Sequence, residues 1–177
     1  MNFDFKQDHF SLFGLPRRFE LDASRLESAW RAVAAQVHPD RFASAGDAEK
    51  RVALMMATHA NEAYRTLKSP LARARYLLQL AGVDTQEDTN TSMPADFLMA
   101  QMEWREAIGD AKDGRDVEAL EQLARELRRD AAGLQQHLQA ALDDVGDLDG
   151  AAVLVRKLRF LEKLEQEIGD AIESLLF

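Results

Sequence analysis

Apolar residues recur every three to four positions along most of the chain, and nowhere do they alternate with polar ones over a strand length. Leu26, Trp30, Val33 and Val37 mark one amphipathic helix, and Ala53, Ala57, Ala60, Tyr64 and Leu67 a second. Between them stands Val37-His38-Pro39-Asp40-Arg41. Pro39 cannot donate a backbone hydrogen bond and drives His38 out of the α region, so the first helix must stop there. Asp40 is thereby presented on a loop at the tip of a helical hairpin.

The rest of the chain falls into place around this hairpin. His9-Phe-Ser-Leu-Phe-Gly14 predicts a short apolar helix closed by Gly14. Asp22 is a candidate N-cap for a helix to about His38, and Asp47 for a helix to about Lys68. Ser69-Pro70 ends that helix and opens a fourth, with Ser as cap and Pro at the first helical position. Leu71, Ala74, Leu78 and Ala81 form its inner stripe, and Gly82 its C′ residue. Residues 83–93 are polar and Thr-rich, hence a linker, and Pro94 opens a second domain. Three more helices are expected there, over about 94–112, 116–144 and 149–176. The second carries Leu120, Leu123, Leu127, Leu134, Leu138 and Leu142, and the third Leu154, Leu158, Leu161, Ile168, Ile172 and Leu175. Short Gly/Asp loops between long helices predict an antiparallel three-helix bundle. The expected organisation is all-α: a tail over 1–8, a four-helix domain over 9–82, a linker over 83–93 and a bundle over 94–177.

A chain of 177 residues is long enough for one sizeable core or two small ones. With 46% hydrophobic and 30% charged residues among 177, the composition is that of an ordinary globular chain, and disorder is a poor reading of it. The absence of cysteine removes disulfides, thiolate zinc and thiolate iron–sulfur ligation, and fits a reducing compartment. Met1–Asp8 has no apolar segment of signal type, and no run of eighteen apolar residues occurs, so a cytoplasmic protein without a membrane span is expected. Net charge is −9 and unevenly placed. Residues 1–83 carry twelve Lys/Arg and nine Asp/Glu, net +3, while residues 84–177 carry ten and twenty-two, net −12. So acidic a second half repels nucleic acid.

A His-Pro-Asp tripeptide alone arises about once per hundred chains of this length at ordinary residue frequencies. Read by itself it is a helix stop with a capping histidine, or a His–Asp acid–base pair. The second reading lacks a third orienting group, and there is neither a cysteine nor a Gly-x-Ser-x-Gly turn to supply a nucleophile. The flanks Phe10-Ser-Leu-Phe-Gly-Leu15 and Asn61-Glu-Ala-Tyr-Arg-Thr-Leu-Lys-Ser-Pro70 place the tripeptide in an arrangement that resembles the J domain of DnaJ-type co-chaperones. Leu12-Phe-Gly-Leu-Pro16, His38-Pro-Asp-Arg-Phe42, Ser69-Pro-Leu-Ala-Arg-Ala74, Tyr76-Leu-Leu78 and Val155-Arg-Lys-Leu-Arg-Phe-Leu161 extend the likeness. Together they resemble the HscB family, the J-type co-chaperones of iron–sulfur cluster assembly, over nearly the whole chain after residue 8. The resemblance implies contact with a DnaK-class ATPase chaperone of HscA type, whose ATP hydrolysis the J domain stimulates. His38, Pro39, Asp40 and Arg41 are the implied contact residues, with Arg25 and Arg31 as a basic flank. Glu27 among those arginines predicts modest electrostatic steering.

On the helix after Pro94, a rotation of about 100° per residue puts Phe97, Trp104 and Ile108 on one face, with Ala100 and Ala111 beside it. Met99, Met102, Glu103, Glu106 and Asp110 fall opposite, with Leu98 at the edge. Two methionines among carboxylates on a face that should be solvated form an apolar patch with an acidic rim, suited to protein binding. From this pattern alone, a chance arrangement or a face covered by the first domain is as good a reading. The family resemblance implies that this surface binds the cluster scaffold protein, of IscU type, through Leu98, Met99, Met102, Glu103, Glu106, Asp110 and, from the last helix, Phe160. The family pattern usually has leucine at Met102 and glutamate at Asp110. Phe160 lies about 100° off the Leu161/Ile168 stripe, so its place is either an interhelical seam or the surface.

His9, His59 and His137 lack a partner at ligand spacing, so no metal site is expected. Arg125, Arg128 and Arg129 read as a solvated helix face. The resemblance thus implies an adaptor with no catalytic residue, no cofactor, no small-molecule substrate and no nucleic-acid or membrane partner. A J-type co-chaperone with another client, a helical interaction module with a fortuitous tripeptide, and a small hydrolase using His38 and Asp40 are the alternatives.

Overall fold

The computed structural model describes residues 3–88 and 93–177. It is all-α, with no strand among the described residues. The elements are α1 (His9–Leu12), α2 (Ala23–Gln36), α3 (Asp47–Lys68), α4 (Pro70–Leu80), α5 (Ala95–Asp113), α6 (Val117–Gln139) and α7 (Leu148–Leu176). The chain divides into two compact units, Met1–Leu77 and Leu78–Phe177, so the division falls inside α4. Expectations for residues 1–2 and for linker residues 89–92 lie outside the described residues.

In the first unit the caps follow local chemistry. Asp22 accepts from the backbone N–H groups of Ser24 and Arg25 and so starts α2. Ser69 Oγ accepts from Ala72 N at 3.2 Å and starts α4. Asp47 is not the expected cap: it is the first residue of α3, and Gly46 precedes it without a side-chain hydrogen bond. Its carboxylate, with that of Glu49, still sits in the first turn, where the helix dipole favours negative charge. The loop after Pro39 is more regular than expected, since Pro39–Phe42 forms a turn of 3-10 helix. Proline fits its first position because that N–H would have no helical acceptor anyway.

α2 and α3 pack as a hairpin around Leu26, Val37, Ala53, Ala60 and Leu67, all buried. Trp30 stacks on Tyr64 with ring centroids 4.4 Å apart, and its Nε1 donates to Asn61 Oδ1. Phe10 is fully buried, and Gly14, at φ +63, turns the chain out of α1 in a conformation that suits glycine. The Tyr76 ring of α4 stacks on His9, and its hydroxyl accepts from His9 N. Burial pushes the Tyr76 hydroxyl pKa up. Arg73 donates to the Leu67 carbonyl and lies over the Phe19 ring, which explains how an arginine is buried here.

His9 gives this unit a pH dependence. Burial, then the neighbouring His59, lowers its pKa below the ordinary 6.5, against the opposing pull of Glu62 and Asp8. Its Nδ1 is buried without a hydrogen-bond partner in the protein. The native state therefore resists a proton that the unfolded chain takes up, and stability is complete above pH ~6.5 and lost as pH falls below it. Urea unfolding of the full chain, followed by Trp30 fluorescence in a Trp104→Phe background, should show a midpoint that falls between pH 7.5 and 5.5. In His9→Asn the fall should be shallower; equal slopes contradict the assignment. Asp8 acts only at lower pH: partial burial raises its carboxyl, but hydrogen bonds from Ser11 and the charge of Arg17 outweigh this and hold it below 3.8.

The second unit is built on α5, α6 and α7. Its core joins Ile108 and Ala111 of α5, Leu120, Ala124 and Leu127 of α6, and Leu161, Leu164, Ile168 and Ala171 of α7. Leu164 and Val155 are fully buried although the seven-helix pattern did not single them out. Asp116 caps α6, and Asp147 caps α7 by accepting from Gly150 N, so α7 starts at Leu148, one residue before the expected 149. A side chain at Gly150 would collide with that carboxylate. Regular α-helix stops at Gln139, short of the expected residue 144, and Ala140–Val145 continues as a π-helix. The wider π turn ends at Gly146, whose φ of +76 turns the chain back toward α7.

Segment 83–88, expected to be linker, is held against α7. Arg156 Nη1 donates to the Thr85 carbonyl at 3.0 Å, and Arg159 pairs with Asp88 at 2.7 Å and Glu87 at 3.8 Å. Thr85 is buried, as is the Glu87 side chain. Among the described residues no helix is long and apolar enough to cross a membrane.

Candidate functional sites on the hairpin loop and on α5

At the hairpin tip His38, Pro39, Asp40 and Arg41 are all exposed. His38 adopts extended backbone (φ −62, ψ 138), and its Nδ1 accepts from Asp40 N at 3.2 Å. The same nitrogen is 3.6 Å from the Asp40 carboxylate. A ring nitrogen already accepting a backbone N–H is a cap, so His38 shapes the loop rather than acting on a substrate. The Asp40 side chain is 93% exposed, which leaves its carboxylate open to a partner. Arg31 makes a 2.8 Å ion pair with Glu27 one turn away on α2. That hydrogen bond pulls the Glu27 pKa down and raises that of Arg31. Arg25 is exposed near the start of α2, about 120° round the helix from Arg31. The two arginines thus do not form one patch, and Arg31 is already tied to a neighbour.

On α5 the two faces separate as the spacing predicts. Ile108 and Ala111 are buried, and Trp104 packs against the core. Met99 is 64% and Met102 72% exposed, with Leu98 at 42% on the edge. Glu103, Glu106 and Asp110 are exposed on the same side. The acidic rim carries no internal ion pair among the described residues.

Phe160 of α7 occupies the interhelical seam. It packs against the core cluster and meets Phe97 edge-on, with centroids 5.8 Å apart. Arg105 lies over its ring at 5.3 Å while reaching Glu167, and Lys157 lies over Phe97 at 5.5 Å. Phe160 and Leu98 also line a groove of about 280 Å³ whose walls include Met93, Glu87, Arg159 and Lys163. So Phe160 supports the edge of the α5 face and reaches it through the groove. Sequence reasoning missed this groove, because it depends on Glu87, Met93, α5 and α7 meeting in space.

His137 is exposed, and His9 and His59 are half-buried. Among the described residues no three His, Cys, Asp or Glu side chains cluster as metal ligands would. Arg128 reaches across to Glu165 at 2.7 Å, and Arg125 to Gln122, on an exposed helix face.

The co-chaperone HscB homolog of Chromobacterium violaceum is 72% identical to this chain over 176 residues, 99% of each protein. The chain belongs to the HscB family. The HscB homolog of an Azoarcus species is 53% identical over 175 residues. A family model described as the HSCB C-terminal oligomerisation domain matches residues 93–169. The solved structure of chaperone HscB from Vibrio cholerae superposes with a TM-score of 0.82 at 36% identity, covering 96% of this chain and 99% of that one. Human HscB gives 0.87 at 28% identity, covering 94% and 82%. The all-α fold matches that of HscB-type co-chaperones, a J domain followed by a C-terminal helical domain, and such a co-chaperone is not an enzyme. Membership removes the fortuitous-tripeptide and hydrolase readings.

Proposed function

We propose that this co-chaperone delivers an iron–sulfur scaffold protein of IscU type to a DnaK-class chaperone of HscA type and stimulates that chaperone's ATPase. The division of labour is the one laid out in the sequence: residues 9–82 meet the chaperone, residues 94–177 hold the scaffold, and residues 83–93 join them. The carrying observation is the exposed Met99/Met102 patch on the side of α5 opposite its core face. A bundle whose core is already complete has no internal use for those side chains, and methionine adapts to a partner's shape. At the other unit, Asp40 offers an exposed carboxylate to a chaperone arginine, with His38, Pro39 and Arg41 setting the loop and Arg25 and Arg31 as a basic flank further back along α2. Leu98, Met99, Met102, Glu103, Glu106, Asp110 and the seam residue Phe160 make up the scaffold contact. Two moderate contacts on one chain raise the effective concentration of scaffold at the chaperone without any new contact. The reading involves no cofactor and no small-molecule substrate, and places the work in the cytoplasm.

The test is steady-state ATP hydrolysis by the HscA-type chaperone at limiting scaffold concentration. Full chain plus scaffold should exceed the product of the two separate stimulations, because delivery adds proximity. A merely multiplicative result means that the chain does not carry the scaffold.

A further inference from the structure

The edge of the α5 face that runs into the groove is basic, although the unit as a whole is strongly acidic. We propose that the scaffold presents an apolar side chain next to a carboxylate at this edge, the apolar group entering the groove and the carboxylate pairing with Lys163. The proposal rests on the scaffold-binding reading of α5 and deepens it by naming the second half of the contact.

Three cations line the groove, and they are not equivalent. Arg156 is engaged by the Thr85 carbonyl. Arg159 is engaged by Asp88 and Glu87. Lys163 is exposed and makes no ion pair, hydrogen bond or ring contact among the described residues. Nearby Arg105 already bridges Glu167 and the Phe160 ring. Lys163 follows Phe160 by three residues, hence one turn on, along the same side of α7. Its stem can lie along apolar surface while the ammonium stays in water.

Across α5 the order around the helix is Leu98, then Met102 at about 40°, Glu106 at about 80°, Met99 at about 100°, Asp110 at about 120° and Glu103 at about 140°. The Leu98/Met102 edge therefore has a free cation on its α7 side, while the free carboxylates lie on its far side around Met99. Such a two-signed surface accepts a partner in one orientation only, because the reversed docking sets like charges against each other. A partner carboxylate is repelled by most of this unit, which carries net −12 over residues 84–177, and Lys163 offers it an attractive position beside the groove.

The experiment is titration of an IscU-type scaffold against the full chain at low and moderate salt, with wild type, Lys163→Met, Lys163→Glu and Met99→Ala/Met102→Ala. Lys163→Met keeps the stem and should bind about threefold more weakly, while Lys163→Glu should bind about tenfold more weakly and associate more slowly at low salt. Circular dichroism should be unchanged for both, since Lys163 holds nothing within the bundle. If both lysine variants bind as wild type while the methionine variant loses affinity, the proposal is overturned and the scaffold site on α5 stands. If the methionine variant also binds normally, that site is wrong and the proposal falls with it.

Discussion

Asp40→Asn is expected to reduce stimulation of the chaperone's ATPase nearly to its unstimulated rate while leaving the fold and scaffold binding intact. The substitution is isosteric and keeps one acceptor oxygen, so it removes the charge and turns the other oxygen into an amide donor without changing the shape of the side chain. The carboxylate is almost wholly exposed and among the described residues its side chain pairs only with the His38 ring, so the J-domain fold does not depend on its charge. The loop is held by other bonds. His38 Nδ1 accepts the backbone N–H of Asp40, not a side-chain donor, and Arg41 N donates to the His38 carbonyl at 3.0 Å. A hydrogen bond to a charged group contributes about 1.5–3 kcal/mol, so losing the charge weakens coupling roughly 10- to 150-fold. Single-turnover ATP hydrolysis by the HscA-type chaperone measures this directly. Equal stimulation by the Asp40→Asn variant and the wild-type chain would show that the loop carboxylate is not the contact.

The second large effect belongs to the α5 face. Met99→Ala/Met102→Ala should weaken scaffold binding by about 2–4 kcal/mol, roughly 30- to 1000-fold, if the two side chains sit near the centre of the contact. Because both are largely exposed in the free protein, truncation leaves no cavity, and thermal stability should change by less than about 0.5 kcal/mol. Intact folding with lost binding separates a contact from a packing residue. Unchanged affinity in a pull-down or titration would move the client site elsewhere on the co-chaperone. The J domain of this variant should still stimulate the chaperone in the absence of scaffold, since α5 and the hairpin loop belong to separate units.

Much of this was legible along the chain because helices are local. A stripe at i, i+3, i+4 and i+7 declares its buried face whatever lies opposite, which is why Leu26, Val37, Ala60, Leu120 and Ile168 are core residues. Caps are equally local: Asp22, Ser69 and Asp116 each bond a backbone N–H two or three residues away. The same locality let Met99 and Met102 stand out, since an apolar residue opposite a finished core stripe has no place inside. Where local signals compete, the outcome was less legible. Asp47 is a good cap by type, but Gly46 holds that position. The switch to a π-helix at Ala140 left no mark in the leucine spacing.

By itself the sequence determined the all-α class, the break at Pro39 that exposes Asp40, the charge asymmetry of the two halves and the two-faced character of α5. These follow from periodicity, backbone chemistry and composition, none of which needs to know what touches what. Only the tertiary structure decided that Phe160 sits in the seam against Phe97, that residues 85–88 are clamped by Arg156 and Arg159, and that Lys163 is the groove cation left free. Pairing partners lie some seventy residues apart in the chain, and long charged side chains choose among several neighbours by distance in space. That choice is made by packing, and it separates an arginine that holds the fold from a lysine that can hold a partner.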